Sequence, residues 1–567
     1  MLLLFAVLGA SVYTKPYMPP SVAQRHMEHW LIEGARHVAG EVRLRHIRNL
    51  EPFYLKRDYQ PIWLDSYQLR PEARELLQLL RETAVDDWRQ YGYSLETLER
   101  ETLRLSNIPE QATAIEVLLS DAFITYAQQA LNDELLPDTG EGDHPIRKVA
   151  NIDVPSISEE EVINLLHEAV RQDRLNDLVS SLAPQHEGYR RLRTELDRYR
   201  RIDRSGRWMV MPADLTLAAG DHHRLVPYLR WLLDEYGDLP KGALNWLFSS
   251  DKNALQWPAK HEVVDLNEVR FLFDGPLRDA VMSFQQRNKL EATGEIDEPT
   301  VKMLNIPPHQ VAQRIALNMK RWRHLPENLG ERYVMVNMAD FHMNLINRGK
   351  SELDMKVIIG KPNRRTPVMT DTIRLIEIAP TWTVPTRIAS SYLLPKLKRN
   401  PAYLQQKGFD VMQWRDGALV HVPSQDIDWK RYSARYLPYT FVQRPGKDNA
   451  LGTVKFLFPN PQDIYLHDTS QPELFSLDER ALSSGCVRVE KPRLLAEKLL
   501  RSQDGWHRGL IDEAIDHNRT SRIRLKDPVP VYLMYWTTWV DEQGKLQIRD
   551  DVYQRDLVAG AATHASL

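Results

Sequence analysis

The sequence predicts a multidomain α+β protein, in which a helical scaffold and a small three-helix module precede a β-rich domain with an inserted subdomain. Residues 22–210 read as one helix after another, short capped helices follow from about 212, and strand patterns dominate after 330. At about 150 residues per domain, 567 residues correspond to three or four domains. A hydrophobic content of 43% with 27% charged residues is ordinary for a soluble globular protein.

Charge and composition exclude some partners. The formal net charge is −3, and no segment is dense in Lys and Arg, so no nucleic-acid partner is predicted. Asp221, His222 and His223 are adjacent, but neighbouring histidines at a helix start are typical of a surface, and no metal site is predicted.

The first residues are apolar from Met1 to Ala10. This is the length of a signal-peptide core, whereas a membrane-spanning helix needs roughly 20 apolar residues. Residues 1–20 are therefore interpreted as a signal or membrane-anchor remnant, and we expect export, with anchoring to the inner membrane as an alternative. An ordinary buried N-terminal helix remains the competing interpretation.

Residues 21–211 are predicted to form a helical scaffold. The segment 114–131 is apolar on most faces and predicts a buried helix. Ser158 and Glu161 have the spacing of a capping box, in which each side chain satisfies an unpaired amide of the first turn. This region shows no group of side chains suited to chemistry.

A small module is predicted at 212–306, beginning with a capped helix over 217–239. Within 274–305, the order of apolar residues around the Gly294-x-Ile296-Asp297 turn resembles the three-helix peptidoglycan-binding module. A segment at 240–272 interrupts the compact pattern of that family. A helical linker, 307–330, follows.

Residues 331–555 are predicted to be the β-rich domain, followed by a tail, 556–567. Alternating patterns at 332–349, 353–370, 373–385, 452–469 and 529–540 predict strands. Residues 388–448 carry helical and aromatic material and are interpreted as an insertion.

The single cysteine lies in LSSGCVRVE, residues 482–490, after a turn-forming Ser484-Gly485 pair. In the upstream strand DIYLHDT, alternation places Tyr465 and His467 on the same side, where both are expected to be exposed. A helix with a first-turn proline is predicted at 491–500, so Cys486 is expected just before a helix start, which favours a thiolate.

This arrangement suits nucleophilic catalysis. A free thiol has a pKa of about 8.5, so an imidazole is needed to take its proton at neutral pH. The amides of Gly485 and Cys486, with the Tyr465 hydroxyl, can hold a developing oxyanion. Arg488 offers a bidentate grip on a carboxylate.

The segment H-D-T-(x)13-S-S-G-C-V-R, beginning at His467, resembles the signature of the L,D-transpeptidase (YkuD-type) family. Two positions depart from it: Ser484 stands where the family commonly has His, and Arg488 where it has Asn. Both departures, with the segments PTWTVP (380–385) and RPGKDNALGTVKF (444–456), are similar to the long multidomain Gram-negative periplasmic members. Those members combine a scaffold, a peptidoglycan-binding module and a lidded catalytic domain.

The resemblance implies that Cys486 is the nucleophile, that His467 is the general base, and that Gly485, Cys486 and Tyr465 bind the oxyanion. It also implies that Arg488, Ser484 and Trp382 contact substrate, although core packing explains a Trp at position 382 equally well. No cofactor is required by this chemistry.

For the whole protein, the resemblance implies periplasmic peptidoglycan L,D-transpeptidation. The cysteine takes a tetrapeptide stem with release of D-Ala, and a diaminopimelate amine of a neighbouring stem then forms a 3-3 cross-link. Peptidoglycan stems are the expected partners, other cell-wall synthases are candidates, and carbapenems are expected inhibitors.

Three other functions stay open. Water or a lipoprotein lysine as acceptor makes the protein an L,D-carboxypeptidase or a lipoprotein-attaching transferase. An inert peptidoglycan-binding scaffold is the non-enzymatic alternative, which the presence of Cys486, His467, Tyr465 and Gly485 together disfavours. A papain-like protease is a poor match, because its cysteine precedes its histidine in the chain.

Overall fold

The computed structural model describes residues 22–32, 37–38, 42–65, 67–82, 95–105, 108–132, 158–239, 270–503 and 505–556. The predicted export segment, 1–20, lies outside these ranges. The described residues fall into two compact units, one up to Pro184 and one from Gln185 onward. The helical scaffold was predicted to continue to residue 211, whereas 185–211 belong to the second unit. None of the helices in the described ranges has the length and apolar character that crossing a membrane requires.

The first unit is helical, with two short hairpins. Its helices are α1 (Val22–Ile32), α2 (Ile47–Leu55), α3 (Pro71–Glu82), α4 (Leu95–Leu103), α5 (Pro109–Asn132), α6 (Glu159–Arg171) and α7 (Leu175–Ser181). Its strands are β1 (His37–Val38), β2 (Val42–Arg43), β3 (Leu64–Asp65) and β4 (Gln68–Leu69). The predicted buried helix lies within α5, and the Ser158–Glu161 capping box is present at the start of α6.

A buried carboxylate organises the centre of this unit. Glu116 on α5 accepts the backbone N–H groups of Ile62 at 2.6 Å, Trp63 at 3.0 Å and Leu64 at 3.1 Å, and the Tyr54 hydroxyl at 2.8 Å. These bonds satisfy backbone donors in a segment that has just left α2 and no longer has helical partners. Burial raises the pKa of Glu116 to about 7, against the opposing effect of its hydrogen bonds.

The second unit begins with helices. They are α8 (Glu187–Arg204), α9 (Val226–Glu235), α10 (Gly275–Arg287), α11 (Glu298–Leu304) and α12 (Pro308–Trp322). The helix predicted over 217–239 is wrong in its first half, because residues 217–225 alternate turns with two isolated bridges, Leu217 with Ile296 and His222 with Leu272. Those long-range pairings have no local sequence signal. Most of the predicted 240–272 segment lies outside the described residues.

The Gly294-x-Ile296-Asp297 turn joins α10 to α11 as predicted. The buried Gln285 side chain accepts from Gly294 N–H at 2.8 Å and donates to the Thr300 hydroxyl at 3.0 Å, so it fastens both sides of the turn. Asp297 caps α11 by accepting from Thr300 N–H at 2.9 Å. The motif is therefore structural, and its polar residues build the module.

The remaining elements form the β-rich domain. Its strands are β5 (Arg332–Asn337), β6 (His342–Asn347), β7 (Lys350–Gly360), β8 (Met369–Ile378), β9 (Trp382–Thr383), β10 (Phe409–Arg415), β11 (Ala418–His421), β12 (Thr440–Gln443), β13 (Val454–Leu457), β14 (Leu466–His467), β15 (Ala481–Ser483), β16 (Val487–Val489), β17 (Ser521–Met534), β18 (Thr538–Val540) and β19 (Leu546–Ile548). Its helices are α13 (Thr386–Ile388), α14 (Leu394–Arg399), α15 (Tyr403–Gln406), α16 (Pro492–Leu500) and α17 (Arg508–Asp516).

Nine of these strands form one mixed sheet in the order β15-β7-β16-β14-β13-β8-β17-β5-β6, with β6 also paired to β7. Because β6 joins β7, the sheet closes on itself, and its buried face supplies the apolar core together with α16 and α17. The centre of the sheet carries β14 and β16, which pair in parallel, Leu466 with Val487 and His467 with Arg488. This pairing brings the histidine strand beside the cysteine turn.

The insertion, which the family resemblance implies to be a lid, is a four-stranded sheet, β11-β10-β12-β9, that shares an apolar and aromatic core with α14. It includes Trp382–Thr383 and so extends ahead of the predicted 388–448 range. Its two ends are tied together, since the buried Asn449 amide donates to the carbonyl oxygens of Pro380 at 3.0 Å and Arg444 at 2.9 Å.

A buried ion pair within the small module also contacts the C-terminal hairpin β18–β19. Arg287 on α10 contacts Asp238 at 2.8 Å, with 2% and 0% of the two side chains exposed. Arg287 also donates to the Leu546 carbonyl at 3.3 Å, and Lys545 lies 3.8 Å from Asp238. The module is thus fixed to the end of the β-rich domain by polar contacts with little solvent access.

Candidate active site

Cys486 lies on a tight turn between β15 and β16. Gly485 has a φ of 128°, which glycine adopts readily and L side chains rarely do. The Ser483 hydroxyl donates to the Cys486 carbonyl at 2.5 Å and accepts from Gly485 N–H at 3.1 Å. The turn is therefore rigid, and the Gly485 amide, one of the predicted oxyanion donors, is engaged by Ser483.

A second layer holds this turn from outside. The Thr366 hydroxyl donates to the Gly485 carbonyl at 2.7 Å and accepts from Gly360 N–H at 2.9 Å, while the buried Tyr553 hydroxyl donates to the Gly360 carbonyl at 2.6 Å. A side chain at Gly360 has no room, because its Cβ would lie 2.0 Å from the Arg364 carbonyl oxygen. The 364–366 loop can pack against the turn only because residue 360 is glycine.

Tyr465 lies close to the thiol. Its phenol interacts with the Cys486 and Trp382 side chains, and both affect its pKa. Its ring lies edge-on to His467, with 5.6 Å between centroids, and the Lys455 ammonium lies 3.9 Å from its centroid on the ring face. Burial, with the negative charge that Cys486 can carry, raises the pKa of Tyr465, so the phenol keeps its proton and can donate it in a hydrogen bond.

His467 is buried, with 5% exposure, which corrects the expectation of an exposed histidine. Its Nδ1 lies 2.5 Å from the Asp468 carbonyl oxygen. A carbonyl oxygen only accepts, so this contact assigns the proton to Nδ1 and leaves Nε2 as the basic nitrogen. Burial, and then the charge of Arg488, lowers the pKa of His467 to about 3. The imidazole is therefore neutral at pH 7.

A row of five ionisable residues crosses the sheet through His467. In the register of the strands, Arg488 on β16 is opposite His467 on β14, His467 is opposite Lys455 on β13, Lys455 is opposite Glu377 on β8, and Glu377 is opposite Arg522 on β17. Directly opposite residues project from the same face of a sheet. The neutral imidazole is thus flanked by a cation on each side.

The thiol itself has a raised pKa. Burial is the main cause, and it outweighs the lowering by hydrogen bonds from Tyr465 and by the charge of Lys455. The Cys486 sulfur lies 3.6 Å from the Asp463 carbonyl oxygen. The prediction that Cys486 lies just before a helix start and favours a thiolate is wrong. The strand Val487–Val489 separates Cys486 from α16, which begins at Pro492. The free protein holds a neutral thiol.

The three predicted substrate-contacting residues have different partners. Arg488 donates to the Thr469 hydroxyl at 3.4 Å, while its buried Nε has no protein partner. Ser484 is exposed and accepts from Arg364 at 3.2 Å. Trp382 bonds Tyr465 and also packs on Phe409 of the lid, 6.2 Å between centroids, so it serves both as lid packing and as part of the site wall.

Sequence reasoning missed Lys455, Glu377 and Thr366. Lys455 stands in an otherwise apolar strand, Val454–Leu457, which is an available signal, since a lysine there has to be paired. Thr366 gives no signal in the sequence, because its role depends on the loop that Gly360 admits. Within the part of the chain that the structure describes, no group of three or more His, Cys, Asp or Glu side chains is arranged to hold a metal ion.

Three family models match the chain. Residues 331–531 match the YkuD L,D-transpeptidase catalytic domain, 48–196 match a scaffold domain, and 268–304 match a domain described as "Putative peptidoglycan binding domain". Each matched range falls within one predicted domain, 331–555, 21–211 or 212–306, whose outer boundaries stay predictions.

Two individual proteins are also similar. A Haemophilus influenzae protein named "Putative L,D-transpeptidase" is 33% identical over 319 residues, which cover 55% of this chain and 62% of that relative. A solved structure described as "Structure of the Ldtfm-avibactam carbamoyl enzyme" is 14% identical, with a TM-score of 0.16, covering 37% of this chain and 51% of that chain. The second likeness is too weak to carry an argument. With the family matches, the first agrees with the arrangement around Cys486: the chain carries an L,D-transpeptidase catalytic domain of the YkuD type, on one polypeptide with a scaffold domain and a peptidoglycan-binding module.

Proposed function

We propose that the protein is a peptidoglycan L,D-transpeptidase that forms 3-3 cross-links between stem peptides. The observation that carries the proposal is the lone thiol of Cys486, held on a rigid turn against the Tyr465 phenol within an L,D-transpeptidase domain. A protein that only binds peptidoglycan has no use for a free, partly exposed thiol next to a row of the sheet in which a neutral imidazole lies between two cations.

In the first half-reaction, Cys486 Sγ attacks the carbonyl carbon between the L-centre of diaminopimelate and D-Ala. The thiol proton passes to His467 Nε2 and then to the D-Ala nitrogen as the amide bond breaks, which leaves a thioester and free D-Ala. The Cys486 amide and the Tyr465 hydroxyl donate to the oxyanion. The Gly485 amide joins them only when its bond to Ser483 is released.

In the second half-reaction, a side-chain amine of diaminopimelate on a neighbouring stem attacks the thioester carbon. His467 takes a proton from that amine and returns it to the sulfur as the thioester breaks, so the free thiol is regenerated. Arg488 is suited to hold a stem carboxylate, because its buried Nε lacks a protein partner. Ser484 and Trp382 are proposed to contact the same stem peptide.

The raised pKa of Cys486 and the lowered pKa of His467 give the reaction a specific requirement. Both groups are neutral in the free protein, so proton transfer is coupled to attack on the substrate rather than completed beforehand. A neutral thiol also reacts slowly with unrelated electrophiles, which suits an enzyme that acts on an abundant polymer.

Cell-wall enzyme domains act outside the cytoplasm, and we place this protein in the periplasm. The small module is proposed to hold the enzyme on peptidoglycan, and stem peptides are the proposed substrates. Cell-wall synthases are proposed protein partners, and carbapenems are proposed inhibitors, because the groove accepts an acyl donor.

Intact-protein mass spectrometry tests the nucleophile. The full chain incubated with a carbapenem should gain one drug mass, because the thiol adds across the β-lactam amide, and Cys486→Ala should gain none. His467→Ala should form the adduct about 10²–10⁴-fold more slowly, the usual cost of losing a general base. No adduct on folded native protein would favour the inert scaffold.

Incubation with disaccharide-tetrapeptides then identifies the acceptor. Release of D-Ala together with a 3-3 dimer supports the proposal. Release of D-Ala with only monomeric tripeptide identifies a carboxypeptidase, and transfer only to an added lysine-ended lipoprotein peptide identifies a lipoprotein-attaching enzyme. Either outcome overturns cross-linking while leaving the nucleophile in place.

A further inference from the structure

Lys455 is the least expected charge near the thiol. It projects from a strand whose neighbours Val454 and Phe456 are buried, and its ammonium lies over the Tyr465 ring at 3.9 Å from the centroid. Lysine is strongly hydrated, so its partial removal from water has to be compensated by specific partners.

Two groups supply that compensation. Glu377 on β8 is directly opposite Lys455 and only 3% exposed, and its charge raises the pKa of Lys455. The Tyr465 ring face contacts the ammonium in a cation–π interaction. Arg522 on β17 lies 3.1 Å from the Glu377 carboxylate, at the exposed end of the row, and its charge opposes that of Glu377 at Lys455. Lys455 therefore lies between a buried anion and the ring of Tyr465.

The same ammonium interacts with both groups that exchange the proton. Its charge lowers the pKa of Cys486 and that of His467, and it raises neither. The other charged or titratable groups near the thiol are Tyr465 and Asp463 before β14 and Arg488 on β16. Arg488 is a second cation, but its Nη1 is directed to Thr469, whereas Lys455 is directed to the tyrosine that touches the sulfur.

We propose that Lys455 is a positioning residue of the thiol site: held by Glu377, it fixes the Tyr465 ring against Cys486 and compensates the negative charge that develops on sulfur. It does not touch the reacting atoms itself. The inference depends on the proposed function only in taking Cys486 as the nucleophile, and its test reads the thiol without any peptidoglycan substrate.

The pH dependence of Cys486 alkylation by iodoacetamide, measured on the full chain by intact mass, is the test. Lys455→Met should raise the midpoint by at least about 0.5 pH unit, since a nearby cation is lost. Lys455→Arg keeps the charge, so its alkylation midpoint should stay close to that of the native protein. Glu377→Gln should move the midpoint downward, because it removes the anion that neutralises Lys455.

Opposite shifts from Lys455→Met and Glu377→Gln are the decisive result, because general loosening of the structure would move both variants in the same direction. Arg522→Met is the matched control at the exposed end of the row and should move the midpoint by less than about 0.2 unit, since solvent screens it. Equal midpoints for native protein and folded Lys455→Met, checked by circular dichroism, would overturn the proposal. Shifts of the same sign in both variants would overturn it as well. If Lys455→Met does not fold, Glu377→Gln and Lys455→Arg still decide the sign.

The two proposals fail separately. Carbapenem adducts on Cys486 with an unshifted Lys455→Met profile would leave the proposed function intact and remove only the role of Lys455. If no carbapenem adduct forms but the alkylation midpoints shift as predicted, the role of Lys455 stands and the proposed function falls.

Discussion

The surroundings of Cys486 and His467 both favour uncharged side chains, and each for its own reason. The sulfur is removed from water on its turn, and the imidazole is enclosed between two strands that carry cations. A preformed thiolate–imidazolium pair would need the opposite balance. At the scale of single residues, the site therefore favours, under the proposed function, a proton transfer that accompanies attack on the substrate and does not precede it.

A pH profile checks this balance. Because the folded-state pKa of Cys486 is raised, the thiolate fraction at neutral pH is smaller than for a free thiol, and we expect an alkylation midpoint above the ordinary value of about 8.5. No inflection is expected near pH 6.5, since the pKa of His467 is about 3. The same reaction in urea should return the ordinary midpoint. A midpoint below 7 in the folded protein would contradict the neutral pair.

At this scale the sequence predicted the members of the site better than their environments. Cys486, His467, Tyr465 and Trp382 could be chosen from motif spacing, and the structure places His467 beside the Tyr465 ring; their catalytic roles stay predictions. The sequence could not show that His467 is buried or that Lys455 is opposite it, because strand register between 455 and 467 depends on the turn that joins them. The hydrogen bond from the Gly485 N–H to the Ser483 hydroxyl depends on one hydroxyl rotamer.

Among the elements, α5 shows how a single side chain determines local structure. Glu116 gives α5 its contact with the 62–64 segment, and its pKa of about 7 makes that contact sensitive to pH. The protonated form is favoured in the folded state, so the stabilisation is complete below the unfolded pKa of about 4.5 and is lost as pH rises through 7.

We therefore expect the first unit to be less stable at pH 8 than at pH 5, by about 3 kcal/mol from this group. Hydrogen exchange of peptides from 109–132, corrected for intrinsic rates, measures the difference in the full chain. Glu116→Gln should abolish this pH dependence, although its amide matches the four donors less well. A Glu116→Gln variant that keeps the native pH dependence would assign the effect to another group.

Gly360→Ala is the corresponding test in the catalytic domain. The new Cβ meets the Arg364 carbonyl, which is backbone, so the loop carrying Thr366 has to move away from the Gly485 turn. We expect a loss of about 1–3 kcal/mol of unfolding free energy and slower carbapenem acylation of Cys486. Gly275→Ala is the matched control, with no atom within 4 Å of its Cβ, and should change neither.

Element prediction from sequence failed where pairing is long-range. The helix expected over 217–225 is replaced by bridges to Ile296 and Leu272, and the lid was read as helical and aromatic material although its framework is a sheet. Strands of two residues such as Trp382–Thr383 carry no alternation to detect. Long elements such as α5 were predictable because their apolar pattern extends over many turns.

On the scale of the whole second unit, the Arg287–Asp238 pair is the contact whose loss should matter most. Arg287→Met leaves the fully buried Asp238 carboxylate without its main partner, and removal of one member of a buried pair typically costs about 3–5 kcal/mol. Differential scanning calorimetry should show a lower transition temperature for Arg287→Met than for the native protein, and limited proteolysis should cut the variant more rapidly near residue 305.

Arg278→Met on the same helix is the control for that experiment. Its partner Asp279 is 60% exposed, so the change should cost less than about 1 kcal/mol. Equal effects from Arg278→Met and Arg287→Met would mean that helix propensity, and not the buried pair, determines the stability of the module.

The tie that Asn449 makes between Pro380 and Arg444 has a consequence for protein engineering. The chain leaves the larger sheet and returns to it at nearly the same place, so the insertion is structurally separate from that sheet. We expect that the part of the insertion beyond Trp382 can be shortened or exchanged without altering the order of the nine strands in the larger sheet. Under the proposed function, the same sheet can then be fitted with different covers, and acceptor choice can change while the thiol turn keeps its shape.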